Sequence, residues 1–568
     1  MAAAEAKVGA AFAGAGGERL ARRLLAIAVL LAGALLLWLN RGTSFWNDEL
    51  TWFGNLSSLH GLEAVLTPHN SHLIGTTRLL YLASIDLLGP DYVVMRVLGV
   101  ASVLLVGTLF FVWAKRRIGP GWALLPAVLL LFYGSAWQHV VGPIGFTVTF
   151  SIALGLGALI AVERGDRRGD LLACGLLACS VFTYTVGLAY LVGVAIAVLL
   201  RRGRLRRVWI FLIPLLLYAA WWLWAQRFDQ GRTEVGGLID IVTFYARSMA
   251  VNATGITGVD VPWTRIIEPR PVEDASPTVI GWLAGLALVA GLAWRVLRGG
   301  LPRSFWASLG VLVTFWLAAA LADTRPEGTQ VYAVRYLFPG SSALLLVLVD
   351  AARGLRIRAG WAYALLAAFA FSLAMNLVVL RDGASFLRAR GAESRLALAM
   401  MELRLGLEPG AAGGGAPDFT AVRPGAPIPL GAGLEYFNSV PRYGSPAMDL
   451  AEVRAQPPPV RATADATLVA AGGVAILPVD ERPPNRVPCG RVEAGTGFPL
   501  AAGITAMKPA GAPAEVSVSR FSDPPGVALG SLEPGRWSLV AVGADRDPDP
   551  WRATLSGPGA TVCPPPAR

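Results

Sequence analysis

Long apolar runs, separated by short basic clusters, fill the first 380 residues of the chain. A membrane helix needs about 20 apolar residues to cross a hydrocarbon layer of about 30 Å. The runs therefore predict about eleven membrane helices, at residues 24–40, 93–114, 121–135, 145–162, 170–182, 186–200, 208–225, 277–294, 304–322, 336–352 and 361–380. We interpret the first as a retained signal anchor, because no small-residue cleavage site follows it.

The basic clusters predict the sidedness of these helices. Each lies on the same side of the membrane, at residues 115–117, 164–168, 201–207, 295–303 and 353–358. The positive-inside rule makes that side cytoplasmic. It places the N-terminal tail (1–23) in the cytoplasm, and the long loops 41–92 and 226–276 on the outer face of the plasma membrane.

Two stretches allow more than one interpretation. Residues 73–88 are almost long enough to span, but Arg78 and Asp86 would each cost about 2.5–3.5 kcal/mol near the bilayer centre. We therefore predict an amphipathic helix along the outer interface. Residues 170–200 are too long for one upright helix, so we predict two short helices that break near Tyr184.

The C-terminal part departs from the membrane pattern. Residues 381–428 combine a charged helix with a Gly/Pro-rich linker, and residues 429–568 carry short β-prone runs from about 460 onward. The predicted fold class is an all-α polytopic membrane domain (24–380) followed by a small extracytoplasmic β-sandwich-like domain. In an oxidising compartment Cys489 and Cys563 would either stay free or pair, and pairing would contribute about 4 kcal/mol.

Composition agrees with the membrane class, since 54% of the 568 residues are hydrophobic and 15% are charged. The net charge of +11 invites a nucleic-acid interpretation, but the Arg residues are spread over the loops rather than gathered on one patch. We therefore expect membrane lipids and no nucleic acid as partners. The high content of Ala, Gly, Arg and Pro suggests a bacterial source.

The outer loop 41–92 contains candidates for acid–base chemistry. Asp48 and Glu49 follow Trp46 closely, where the chain leaves the first membrane helix. A carboxylate there can take a proton from an acceptor hydroxyl, while an aromatic ring holds a sugar face. The alternative is a solvated turn in which Asp48 caps the following helix.

All four His residues of the chain fall in predicted outer loops: His60, His69, His72 and His139. The spacing of His69 and His72 can place both imidazoles on one helical face, where an acidic neighbour would complete a divalent-metal site. Pro68 favours a turn instead. Polar loops also collect His in the absence of any site, which is the alternative interpretation.

Arg335 and Tyr336 open a late membrane helix at its outer end. An Arg can form a fork to a phosphate while a Tyr donates its hydroxyl. Interfacial anchoring by aromatic and basic residues is the alternative.

The order of these features resembles the GT-C membrane glycosyltransferases. The chain has a signal anchor, then an outer Asp-Glu pair, then a Pro-His segment and finally a late RYLFP segment. The RYLFP segment is similar to an Arg-Tyr-x-x-Pro segment of the branch that holds the protein O-mannosyltransferases and the aminoarabinose lipid A transferase. The resemblance covers roughly residues 24–380. Two departures are His69-Asn70-Ser71-His72, where better-known members have His-Pro-Pro-Leu, and His139, where many members carry an acidic residue or Arg.

The resemblance implies a role for each matching residue. It makes Asp48 the catalytic base, with Glu49 as its neighbour, and assigns Arg335 and Tyr336 to the phosphate end of a polyprenyl-phosphate sugar donor. The remaining substrate-binding candidates are Trp46, His69, Asn70, His72 and His139. A divalent metal on His69 and His72 stays open, and no other cofactor is implied.

The predicted function is transfer of a sugar from a polyprenyl-phosphate donor to a hydroxyl of a lipid, cell-wall glycan or protein on the outer face of the plasma membrane, with inversion. One rival is a lipid-linked sugar transporter or flippase, which would need charged residues deep within the spans. The other is a non-catalytic membrane anchor for a glycan-binding β-domain.

Overall fold

Each of the predicted membrane runs lies on a helix of the computed structural model. The structure describes residues 15–201, 203–228, 237–259, 261–269, 278–323, 334–355, 359–407, 431–480 and 488–565, together with 419, 422, 423 and 425–429. The helices that carry the runs are Ala15–Leu39, Val93–Ile118, Pro120–Leu131, Phe146–Val162, Arg167–Thr183, Gly187–Leu199, Trp209–Ala225, Val279–Leu297, Arg303–Asp323, Leu337–Ala351 and Ala359–Arg404. Most of the predicted linker 408–428 lies outside the described residues.

Length and composition separate the helices that can cross a membrane from the shorter ones. Within the described residues, eight helices are long and apolar enough to cross, and Gly187–Leu199 and Trp209–Ala225 are shorter apolar helices. The multipass architecture is therefore confirmed, while the number of spans stays a prediction.

The break in the run 170–200 lies where the sequence predicts it. Arg167–Thr183 ends before Tyr184, whose backbone is extended (φ −165°, ψ 154°), and the next helix begins at Gly187. A Cβ on Gly187 would lie 2.7 Å from the carbonyl carbon of Ser180, so only glycine allows so tight a reversal. The two-helix interpretation is confirmed.

The last membrane run belongs to a single helix of 46 residues, Ala359–Arg404. The predicted span ending at 380 and the charged helix that follows it are therefore parts of one continuous helix. No proline interrupts this stretch, so the backbone hydrogen bonds continue through the change from apolar to charged residues. At about 1.5 Å per residue the helix is more than twice as long as the hydrocarbon layer is thick, and its charged half extends beyond the predicted span.

The basic clusters contact one another at one end of the helices. Arg117 Nε donates to Asp350 Oδ1 at 2.7 Å, and Arg207 donates to the Val162 carbonyl at 3.0 Å. Arg295 donates to the last carbonyl of the helix that carries Asp350, also at 3.0 Å. The structure thus groups the clusters that the positive-inside rule assigned to one face. The identity of that face as cytoplasmic stays a prediction.

Internal contacts divide the chain into two compact units. The first contains residues up to Thr43, 60–83 and 92–388, and the second contains 44–59, 84–91 and the chain from Ala389 onward. The predicted membrane domain therefore shares its outer loop 41–92 with the unit that carries the β-domain. The sequence interpretation kept that loop whole.

The described part of the second unit ends in a β-sandwich. Its five-stranded sheet has the order β1-β7-β4-β9-β2 and its four-stranded sheet the order β3-β8-β5-β6, with antiparallel pairing throughout. The strands are β1 (Val474–Val479), β2 (Gly490–Val492), β3 (Gly497–Leu500), β4 (Gly503–Pro509), β5 (Ala514–Ser519), β6 (Val527–Leu532), β7 (Trp537–Val542), β8 (Trp551–Ser556) and β9 (Ala560–Cys563). The predicted β-rich domain is confirmed as a sandwich.

Three helices precede the sandwich, at Gly433–Tyr443, Leu450–Arg454 and Pro458–Ala470. The prediction of β-prone runs from about 460 is therefore wrong up to the start of β1. Proline at the first helical positions starts the last of these helices, because its missing N–H costs nothing there. Leu468 joins Val516 and Val540, one from each sheet, in the common core. Cys489 and Cys563 are joined by a disulfide, which selects the paired alternative.

Candidate active site

The outer loop 41–92 contains an unusual concentration of backbone strain. Among the described residues, the non-glycine residues with positive φ are Asn47 (53°), Asn70 (47°) and Ser71 (66°), and all three lie in this loop. An L-residue pays about 1–2 kcal/mol in the left-handed region. Such outliers persist where the surroundings enforce them, and they concentrate at functional sites.

The two compact units divide the predicted site residues between them. Trp46, Asp48 and Glu49 belong to the second unit. The first unit contains the other candidates, namely His69, Asn70, His72, His139, Arg335 and Tyr336. Each group is described within its own unit.

In the second unit, the strained Asn47 determines where a helix begins. The helix Asp48–Ser58 starts directly after Asn47, whose side chain makes no capping hydrogen bond. Glu49 is 2% exposed, and its Oε2 accepts a hydrogen bond from the Trp46 backbone N–H at 3.2 Å. Asp48 is half-buried. The two acids therefore differ, because Glu49 is buried and holds the turn while Asp48 is partly exposed.

The helix that begins at Asp48 is held by a later segment of the same unit. Thr51 Oγ1 donates to the Gly431 carbonyl at 2.9 Å, and Ser439 Oγ donates to the Gly54 carbonyl at 3.1 Å. A Cβ on Gly54 would lie 2.9 Å from the Tyr436 backbone nitrogen, so the two helices touch at their backbones. We call this contact between Asp48–Ser58 and Gly433–Tyr443 the helix clamp.

In the first unit, the Pro-His segment folds into a tight hairpin. His69 N–H donates to the His72 carbonyl at 3.0 Å, and His72 N–H donates to the His69 carbonyl at 2.8 Å. Positive φ at both central residues is the signature of a type I′ turn. The structure therefore has the turn that Pro68 favours and not the helical face. The two imidazoles nevertheless share a face, because directly opposed residues of an antiparallel pair project to the same side.

The hairpin is fixed to the break between the two short membrane helices. Thr185 Oγ1 lies 2.8 Å from His72 Nδ1, and the His72 ring centroid lies 4.7 Å from that of Tyr184. The His69 ring nitrogen Nε2 lies 3.3 Å from Asn70 Nδ2. The three predicted residues His69, Asn70 and His72 are therefore brought together, and one imidazole nitrogen of His72 is already engaged.

The contacts of His69 and His72 show whether a divalent metal ion fits at the hairpin. Among the described residues, no group of three or more His, Cys, Asp or Glu side chains is placed to hold a metal ion. The two imidazoles alone do not complete the ligand set that a divalent ion requires. We therefore derive no step through a metal here.

His139 lies deeper than its predicted loop position indicates. It belongs to the short helix Trp137–Val140 and is 6% exposed. Its Nδ1 is buried without a hydrogen-bond partner in the described part of the chain, and its ring centroid lies 6.3 Å from that of Phe338. A direct substrate contact by His139 stays a prediction.

Arg335 and Tyr336 form a 3-10 turn that leads into the helix Leu337–Ala351. Arg335 is exposed, and its guanidinium carbon lies 5.2 Å from the centre of the Tyr336 ring. The Tyr336 ring in turn meets Phe244 and Trp316, with centroids 6.5 and 6.4 Å away. The aromatic contacts orient the Tyr336 ring, and recognition of a phosphate by this pair stays a prediction.

Arg78 is not among the site residues predicted from the sequence, and the structure buries it. The residue is 4% exposed. The signal that could have identified it is a charged residue two positions before the Leu-Tyr-Leu run of the helix Gly75–Leu88.

Comparison with known proteins gives matches among solved structures. No protein-family model matches the chain, and no curated protein matches it. The chain is similar to ArnT from Cupriavidus metallidurans bound to undecaprenyl phosphate, with 12% identity, 68% of this chain and 81% of that chain covered, and a TM-score of 0.43. The same protein in the apo state matches with 12% identity, coverages of 68% and 80%, and a TM-score of 0.40.

Proposed function

We propose that the protein is an inverting membrane glycosyltransferase that moves a sugar from a polyprenyl-phosphate carrier to a hydroxyl on a lipid, cell-wall glycan or protein. The observation that carries the proposal is the strained Asn47 turn, which buries Glu49 and leaves Asp48 accessible at the start of a helix. The resemblance of the surrounding segments to the GT-C glycosyltransferases gives that carboxylate its role.

In the proposed reaction, Asp48 takes the proton of the acceptor hydroxyl as its oxygen attacks the anomeric carbon of the sugar. The bond from that carbon to the phosphate oxygen breaks, and the carrier phosphate leaves with the electron pair. Arg335 stabilises the negative charge that develops on the phosphate, and Tyr336 donates its hydroxyl. Attack opposite the leaving group inverts the anomeric centre.

The placement of buried charge favours surface chemistry over a transport path. Within the described membrane runs the buried charged residues are Asp170 and Asp350. Asp350 is paired with Arg117, just beyond its own run, and Asp170 accepts from Arg207 Nε at 2.9 Å. Both pairs lie at the basic end of the helices, whereas a flippase needs charged groups deep within the spans.

The test is transfer of radiolabelled sugar from polyprenyl-phosphate donors into membranes that contain the wild type or Asp48→Asn at equal abundance. We expect Asp48→Asn to lose about 10²–10⁴-fold in rate, since a general base contributes that much. Asp86→Asn is the matched control, because Asp86 is an exposed carboxylate of the same predicted outer loop.

Two results would contradict the proposal at different points. Undiminished transfer by Asp48→Asn would show that Asp48 is not the base. If the wild type is abundant in the membranes and still transfers sugar from none of the polyprenyl-phosphate donors, the proposed class of donor is wrong.

A further inference from the structure

The first unit contains a buried guanidinium, that of Arg78, whose positive charge is almost unbalanced by acidic side chains or hydrogen-bond acceptors of the described residues. In the first unit, Arg78 and Arg117 are both buried arginines, 4% and 8% exposed. Arg117 has Asp350 at 2.7 Å and Glu163 as ion-pair partners. Arg78 forms no ion pair with any described residue, and its one hydrogen bond is a long one of 3.4 Å from Nη1 to the Ala64 carbonyl.

The Arg78 side chain has a buried donor that no described residue accepts. Its Nε is buried and has no hydrogen-bond partner among the described residues. A guanidinium carries five N–H donors in a planar fork that matches the oxygens of a phosphate or carboxylate. Leaving a buried charge unneutralised is costly, and folded proteins avoid it unless a ligand completes the site.

Burial alone controls the titration of this group. Desolvation lowers the pKa of Arg78 to about 10. The guanidinium therefore remains charged at neutral pH, and the unfavourable burial is present under the conditions in which the protein works.

The segments that surround Arg78 are fixed in place. The short helix Gly61–Leu66, which supplies the Ala64 carbonyl, is held by Trp221 Nε1, which donates to the Leu66 carbonyl at 2.8 Å. Next to Arg78, Thr77 Oγ1 donates to Thr147 Oγ1 at 3.1 Å. The helix that supplies the Ala64 carbonyl and the helix that carries Arg78 are therefore each fixed by a side-chain hydrogen bond to another segment of the first unit.

We propose that Arg78 is the centre of an oxyanion-binding site that takes a phosphate or phosphodiester group. The site is built from the short helix Gly61–Leu66 and the first turns of Gly75–Leu88. The anion supplies the negative charge and the acceptors that the described residues do not. The identity of the occupant rests on the proposed function: if the protein is a glycosyltransferase, a lipid phosphate is the natural occupant.

The experiment measures thermal unfolding of the purified full-length protein in detergent, with inorganic phosphate, with undecaprenyl monophosphate, or with neither. For the wild type we expect a rise of a few degrees Celsius in unfolding temperature with at least one of the two probes, since a ligand of the native state stabilises it. A rise with inorganic phosphate indicates a free anion, and a rise with the lipid alone indicates a headgroup.

The variant Arg78→Met distinguishes a ligand-binding role of Arg78 from a purely structural role. Without a probe it should unfold at the wild-type temperature or above, because it removes a buried charge and no ion pair. With either probe its shift should disappear, and Arg78→Lys should keep part of the shift, since it retains the charge without the fork. Arg265→Met is the matched control: Arg265 pairs with Asp382 at 3.1 Å, so its loss should lower the unfolding temperature and preserve the probe shift.

A probe shift that survives in Arg78→Met would overturn the proposal. So would an unfolding temperature of Arg78→Met that falls as far as that of Arg265→Met without a probe, or a wild type that responds to neither probe. The Asp48→Asn transfer assay is independent of these measurements. A failed base assignment would therefore leave the anion site standing, and the reverse also holds.

Discussion

At the scale of single residues, the outer loop 41–92 is shaped by positions that oppose their own backbone preferences. Asn47, Asn70 and Ser71 adopt positive φ without being glycine. Asparagine tolerates this region through local hydrogen bonding, but serine rarely enters it. The turn at Asn70 and Ser71 is therefore imposed by the partners of His69 and His72 rather than by local propensity.

The strain at Ser71 predicts the effect of substitutions there. Ser71→Val should lower the free energy of unfolding by about 1–2 kcal/mol, because a branched side chain fits poorly at positive φ. Ser71→Asn should be close to neutral and Ser71→Gly neutral or stabilising. Thermal unfolding of the three variants in one detergent measures this. Equal stability of Ser71→Val and Ser71→Gly would show that the turn relaxes, and would remove the argument from strain.

At the scale of elements, the helix clamp joins two distant segments of the second unit. The sequence places Asp48–Ser58 and Gly433–Tyr443 almost 380 residues apart. They meet through backbone contact at Gly54 and through the ring of Phe53 against that of Tyr436, with centroids 5.2 Å apart. The helices ahead of the sandwich therefore position the segment that begins at Asp48, a role that the sequence interpretation did not assign to the C-terminal region.

The helix clamp can be tested by the substitution Gly54→Ala, which adds a single methyl group at the contact. Gly54→Ala should lower the free energy of unfolding by about 1–3 kcal/mol, because the new Cβ meets the Tyr436 backbone, which cannot yield. Gly175→Ala is the matched control, since a Cβ on this other helical glycine meets nothing within 4 Å. It should be neutral or stabilising by up to about 1 kcal/mol.

Apparent unfolding temperatures and sugar-transfer rates of both glycine variants are measured together. We expect Gly54→Ala to lose transfer as well as stability, since it displaces the helix of Asp48. If both variants behave alike, the clamp does not position that helix.

At the scale of the whole molecule, the side of the membrane on which residues lie decides which of them can act in one reaction. The basic clusters meet at one end of the first unit, around Arg117, Arg207 and Arg295. The hairpin at His69 and His72 lies instead against the Tyr184 break, between two helices whose other ends carry those clusters. Opposite ends of these two helices therefore carry the basic clusters and the hairpin at His69 and His72.

This arrangement predicts the labelling of single cysteines in intact cells. In a background with Cys174 and Cys179 replaced by Ala, His60→Cys should react with a membrane-impermeant maleimide, and Leu205→Cys should react only after permeabilisation. Both side chains are exposed, so accessibility within the protein does not limit either reaction. Labelling of both from the same side would contradict the predicted topology.

The sequence by itself determined the membrane class, the positions of the apolar helices, the break near Tyr184 and the β-sandwich. These follow from run length, basic clusters and local breakers, which act over a few residues. The tertiary structure decided the rest. The distinction between Asp48 and Glu49, the hairpin at His69, the burial of Arg78 and the helix clamp all depend on contacts between distant segments. No local pattern records which of two adjacent carboxylates is buried, or whether a charged side chain finds a partner, because burial and pairing are set by the neighbours that folding brings together.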